Sequence, residues 1–270
     1  LPVMGGAGAA WATVLVMIFL LTSMALYARY APNLRKLKLY SKFSRPQVTA
    51  IGKILALGIP ISLTVSVDMS FFAIIPLMIA HLGSDVLGAH AIAINLDALV
   101  FMLPLGIGQA LTIKVAHAQG ARNPLAAKHI CLTGFKLVFV IALILGAVKI
   151  FMGGHLANLF SPNSEVARIA TNLFLFSAAM GLCDCLQISC GCALRGFKDT
   201  RVPLVIQIVA FWIIAFPLAY SLALTDTFGT SLGVYGFWVG AILAALIASI
   251  GLLFRWRTVT NNAIATIDLR

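Results

Sequence analysis

The sequence predicts an all-α membrane protein with seven transmembrane helices. Three observations carry that prediction. The 270 residues are 61% hydrophobic and only 10% charged, with a mean hydropathy of +1.03, whereas a soluble domain averages roughly 45–50% apolar and about 25% charged. The apolar residues fall into seven runs, each close to the roughly 20 residues that a spanning helix needs. The basic residues gather between alternate runs, as positive-inside topology requires. A soluble globule, a disordered chain and a coiled coil are excluded. Strands are excluded too, because the runs are long and do not alternate.

The runs are residues 6–27, 54–80, 87–113, 130–152, 169–194, 204–223 and 234–254. The first is followed by a basic stretch, residues 28–50, with Arg29, Arg35, Lys36, Lys38, Lys42 and Arg45 and no acid; Lys53 follows. This stretch divides the chain and is expected to lie in the cytoplasm, where anionic lipid can hold it. The second run contains Pro60 and Pro76, with Asp68 midway between them; two prolines remove hydrogen bonds and suit a bent, gating helix.

After the third run come Lys114, Arg122 and Lys128, and after the fifth Arg195, Lys198 and Arg201. Arg255 and Arg257 follow the seventh. Only Arg168 and Lys149 fall on the other side. The C-terminus and residues 28–50 are therefore expected in the cytoplasm and the N-terminus outside. The net charge of +11 is a topology signal, and no nucleic-acid partner is expected. Residues 117–124 and 194–203 look alike: each has a Gly where a helix should stop and a Pro where the next should start. Residues 161–165 read as a cap leading into the fifth run. The chain opens on Leu1 with no basic segment ahead of its first run, which is expected of an interior or C-terminal piece of a longer protein.

Three acids fall inside runs: Asp68, Asp97 and Asp184. A central Asp costs roughly 2.5–3.5 kcal/mol on insertion scales, so such residues face the bundle interior and mark ion or substrate paths. No basic residue lies at the centre of a run, and Lys136 and Lys149 are expected to snorkel from opposite ends of the fourth. The acids are thus candidates for cation binding, with Asn95 beside Asp97 as a further oxygen donor. Aromatics lie near them: Phe71 and Phe72, Phe101, then Phe174 and Phe176, with Met180 one turn before Asp184. Carboxylates beside aromatic faces suit lipophilic cations.

Other patterns carry less. Cys183, Cys185, Cys190 and Cys192 flank Asp184, but i, i+2 spacing puts neighbours on different helix faces, against one tetrahedral metal site. No cofactor is expected, nor any metal beyond a coupling cation. No nucleophile–base or phosphate-binding motif is present, so an enzyme is not expected. Gly236 and Gly240 form a GxxxG, a sign of close helix contact.

Six segments stand out in order: Leu57-Gly58-Ile59-Pro60-Ile61, Ile79-Ala80-His81-Leu82-Gly83, Ala89-His90-Ala91-Ile92-Ala93-Ile94-Asn95, Phe101-Met102-Leu103-Pro104, Gly196-Phe197-Lys198-Asp199-Thr200 and Gly236-Phe237-Trp238. Taken together, they resemble the NorM branch of the multidrug and toxic compound extrusion (MATE) family. The resemblance implies twelve helices in two six-helix lobes, of which this chain carries the second. Residues 1–27 would be the last helix of the N-terminal lobe, 28–50 the inter-lobe loop, 51–257 the C-terminal lobe and 258–270 a cytoplasmic tail.

The resemblance further implies a multi-pass protein of the bacterial inner membrane, a multidrug antiporter exporting organic cations in exchange for Na+ or H+. Its missing N-terminal half and the bilayer are partners. Asp68 and Asp184 match the family's cation site, with Asp97 and Asn95 as neighbours; Phe72, Phe101 and Met180 are candidate substrate contacts. A flippase for lipid-linked oligosaccharides, the alternative in the same superfamily, predicts basic residues lining the cavity, whereas the runs here offer acids.

Overall fold

The computed structural model describes residues 5–31, 47–225 and 231–268. Most of the basic stretch predicted for residues 28–50 lies outside the described residues. The chain divides into two units, Leu1–Lys53 and Ile54–Arg270. The first contains α1 (Gly5–Tyr30). The second is a helical bundle: α2 (Val48–Ile79, entering from the first unit), a 3₁₀ turn (Ala80–Leu82), α3 (Ser84–Gly120), α4 (Pro124–Phe160), α5 (Ser164–Gly196), α6 (Arg201–Ile208), a π-helical segment (Val209–Ala215), α7 (Phe216–Leu224) and α8 (Val234–Asp268). No strand occurs among the described residues. Among the described residues, seven helical stretches are long and apolar enough to cross a membrane.

Local chemistry sets the boundaries. Asn123 caps α4 by accepting from the Ala126 N–H at 2.9 Å, with Pro124 at the first helical position. Asn163 caps α5 through the Glu165 N–H at 2.9 Å. α3 and α5 end in one shared turn. In α3 the Asn123 N–H reaches the Ala118 carbonyl at 3.0 Å; in α5 Asp199 does the same to Leu194 at 3.0 Å. This is a Schellman closure: each helix stops at the expected glycine, and the left-handed residue lies two positions further on. Arg122 (φ 55°) and Lys198 (φ 63°) take that place, and Gly120 and Gly196 are each helix's last residue. Gly196 serves close packing: a Cβ there would lie 2.8 Å from Val115 and 3.0 Å from the Thr112 carbonyl.

Several helices outrun their apolar runs. α4 continues past residue 152 to Phe160, because nothing stops it before Ser161-Pro162. α8 continues to Asp268, so residues 258–268 of the expected tail are helix; no Gly or Pro lies between Phe254 and Asp268. α2 runs on through both Pro60 and Pro76. The sixth span hides a π-helical segment just ahead of Pro217, where the missing proline N–H favours a wider turn.

α5 is the central helix and packs against α3, α4 and α8. The GxxxG face of α8 meets α7. A Cβ on Gly236 would lie 2.6 Å from Ala223 Cα, and one on Gly240 would collide with Ala219. Small residues on both helices thus bring the backbones together, as lipid-embedded pairs require. α2 joins through aromatic side chains: Phe71, fully buried, meets Phe211 at 5.2 Å and Phe216 at 6.5 Å edge-on.

The apolar core comes in pieces. A large cluster holds Phe71, Ala93, Phe174, Phe211, Phe237 and Ala244. A second, towards the end bearing Arg195 and Arg255, holds Leu111, Val115, Cys131, Leu194, Leu252 and Trp256. The polar residues of the spans fall along the chain between these pieces, or at an edge of the first. Asp68 precedes Phe71, Asp97 follows Leu96, Lys149 lies between Ala142 of a third, small cluster and Ala157, Asp184 between Met180 and Cys190, and Gln207 precedes Ala210. The outer faces carry large apolar side chains such as Phe151 and Leu159, as a lipid-facing surface does.

Candidate functional site

The first part of the site is built around Asp68 on α2. Gln207 on α6 donates its side-chain N–H to both carboxylate oxygens, at 2.8 and 3.0 Å. One turn from Asp68, Thr64 joins it in lining a cavity with Gln187, Arg195, Thr200 and Gln207. The side-chain oxygens of Gln187 and Gln207 are buried and accept no hydrogen bond. An orphaned buried oxygen is costly, and here two of them border the same cavity as a carboxylate. That donor set, carboxylate plus amide and hydroxyl oxygens, matches a hard cation. Arg195 lies in the field of Asp68 from the basic end of the bundle. Trp212, in the π-helical segment, donates to the Val67 carbonyl at 3.3 Å and fixes the backbone next to Asp68.

The second part overturns one sequence expectation. Lys149 does not snorkel: it is buried, with 5% exposure, and is paired with Asp97 on α3. Its ammonium also donates to the Ser177 hydroxyl on α5 at 2.7 Å, and that hydroxyl donates to the same Asp97 oxygen. The reason lies in helix length. α4 extends eleven residues beyond Lys149, about 16 Å at 1.5 Å per residue, too far for a lysine side chain to reach an interface. Asp97 is therefore engaged by a protein cation. Asn95 is exposed on another face of α3 and is not brought into this cluster.

Asp184 on α5 connects the two parts. It is partly buried and lies in the electrostatic field of Asp68, Asp97 and Lys149. Ser177, Asp184, Gln187, Gly191 and Arg195 follow one another on α5 at spacings of seven, three, four and four, which places them on one helical face. This polar stripe runs from the Lys149–Asp97 cluster to the Asp68 cavity. Among the candidate substrate contacts, Phe72 is partly buried and edge-on to Phe71 at 5.5 Å, and Phe101 is partly buried. Met180 is packed inside the main apolar core with 5% exposure. Gln207, Gln187 and Ser177 did not stand out as single polar residues in apolar runs; the stripe spacing on α5 was the signal for two of them.

Comparison with known proteins follows the same outline. Residues 60–221, more than half of the chain, match the family model described as MatE. The multidrug resistance protein PmpM of Pseudomonas aeruginosa is 36% identical over 255 residues, covering 94% of this chain and 54% of that protein. The multidrug resistance protein NorM of Aliivibrio fischeri is 34% identical over 241 residues, covering 89% of this chain and 52% of its own length. The chain thus spans about half the length of the curated relatives it matches. Among solved structures, the eukaryotic MATE transporter AtDTX14 superposes with a TM-score of 0.80 at 19% identity, covering 90% of this chain and 55% of that one. An outward-facing multidrug resistance MATE transporter gives 0.79 at 21%, covering 96% and 57%. Seven apolar helices, their order and the extent of the family match agree, and the chain belongs to the MatE family of multi-pass membrane proteins.

Proposed function

We propose that this chain forms the cation-coupled half of a multidrug efflux antiporter, exporting organic cations from a bacterial cell across the inner membrane. The observation that carries the proposal is the α5 stripe, in which Asp184 stands one turn from Gln187, a residue that lines the Asp68 cavity and bears one of its two orphaned amide oxygens. The relatives named as multidrug resistance proteins support the export reading. Asp68 and Asp184 are the groups that bind the coupling ion, and the oxygen-rich cavity favours Na+ over H+. Organic cation and coupling ion exchange because both need the same carboxylates, and carboxylates held in a low-dielectric bundle bind one cation charge at a time far better than none. The aromatic residues around α2, Phe72 among them, supply apolar and cation–π contact. Alternating access places such a site between two rocking halves.

Efflux of ethidium from cells carrying the gene, with sodium and pH gradients imposed separately, tests the proposal. Efflux that follows the sodium gradient at constant pH supports it. Efflux that ignores both gradients refutes coupling, and the absence of efflux refutes the export reading.

A further inference from the structure

We infer that Lys149 lowers the charge of the ligand that the site prefers, acting as a built-in monovalent cation that shifts the balance from dications towards monocations. The inference rests on the efflux reading above and adds to it a specificity determinant from outside the expected site. Three charged groups share one side of the bundle: Asp97 from α3, Lys149 from α4 and Asp184 from α5. Lys149 is bound to Asp97 directly and through Ser177. Ser177 and Asp184 lie seven residues apart on one face of α5, about 10.5 Å along the axis at 1.5 Å per residue. Asp184 stands in the field of both partners of the pair.

With Lys149 present, Asp97, Lys149 and Asp184 together carry one net negative charge, to which Asp68 adds its own. Without Lys149, Asp97 and Asp184 would carry two. Asp97 even retains a second carboxylate oxygen, buried and without a hydrogen-bond partner, that an additional cationic group could engage. A lysine pinned between three helices, with 5% exposure, cannot leave for solvent and cannot be exchanged for an ion. Its charge is a fixed property of the site. A permanent positive charge about 10 Å from a bound cation changes the affinity for each further ligand charge by about tenfold at an effective dielectric of about 20.

The test uses two dyes with the same phenanthridinium ring, ethidium with one positive charge and propidium with two, bound to the purified protein as its gene encodes it. The readout is the ratio of their dissociation constants. Lys149→Met keeps the apolar stem and removes the charge, and it should shift the ratio towards propidium by about tenfold. Lys149→Arg should leave the ratio unchanged. Lys149→Met combined with Asp97→Asn restores the net charge and should restore the wild-type ratio, an outcome that a merely structural lysine does not produce. Asp97→Asn alone should shift the ratio away from propidium by a similar factor, and this arm decides the matter if Lys149→Met does not fold. An unchanged ratio in Asp97→Asn, or the same ratio in Lys149→Met and the double variant, overturns the inference while ethidium still binds. Wild-type protein that binds neither dye overturns the efflux reading, and the inference with it.

Discussion

Gln207 on α6 holds both carboxylate oxygens of Asp68 on α2, at 2.8 and 3.0 Å. A single amide N–H group thereby joins the two helices at a level where α2 otherwise meets its neighbours through aromatic side chains. A hydrogen bond to a charged group is worth about 1.5–3 kcal/mol. Gln207→Leu should therefore weaken sodium binding by about tenfold or more, and Gln207→Asn, one methylene shorter, should be intermediate. Isotope-binding titrations on the purified variants measure this. Unchanged affinity in Gln207→Leu would remove Gln207 from the site.

In the proposed antiporter, coupling rests on the Asp184 and Asp68 carboxylates. Asp184→Asn should abolish sodium-driven efflux while the protein still inserts, because neutralising a buried acid lowers its insertion cost. Asp68→Asn should do the same. Efflux by a normally expressed variant, compared with wild type in the same cells, decides the role of each residue.

The small-residue seam between α7 and α8 predicts a stability effect far from the acids. A Cβ on Gly236 would lie 2.6 Å from the Ala223 Cα, a backbone atom that cannot give way. Gly236→Ala should cost about 1–3 kcal/mol, the usual range for overpacking, and lower the unfolding temperature in detergent. Gly58→Ala is the control: nothing lies within 4 Å of its added Cβ, so its effect should stay within about 0.5 kcal/mol.

At the basic end, Arg255 on α8 donates to Asp199 at 2.6 Å, with the arginine 37% exposed. With Asp199 only 14% exposed, the pair should contribute about 1 kcal/mol, the upper end for surface pairs. Arg255→Gln should shift stability by no more than that and leave efflux intact, as a thermal melt and a transport assay on one preparation would record.

Much of this was legible in the sequence. The seven apolar runs became seven spans because hydrophobicity and length act locally along one helix. Asp68, Asp97 and Asp184 stood out because a carboxylate in an apolar run is rare. The pairing of Lys149 with Asp97 was not legible. It depends on how far α4 continues beyond its apolar run, and on α3 and α5 bringing Asp97 and Ser177 to it across 52 and 28 residues of chain. Gln207 escaped notice because an uncharged amide hardly disturbs a hydropathy profile, although it closes on Asp68 from 139 residues away. The stops at Gly120 and Gly196 were legible in the two matching turns. The left-handed conformation of Arg122 and Lys198 was not, nor was the contact of Gly196 with Val115, a tertiary constraint that local sequence does not carry.

In the proposed exchange, Asp68 and Asp184 hold a cation that the exported organic cation displaces. The most direct test is equilibrium binding of radioactive sodium to the purified protein as its gene encodes it, with ethidium added as competitor, in wild type and in the Asp68→Asn and Asp184→Asn variants. Saturable sodium binding in wild type that ethidium displaces, and its loss in both variants, is the expected result. Sodium binding that persists in both variants, or that ethidium leaves untouched, would contradict it.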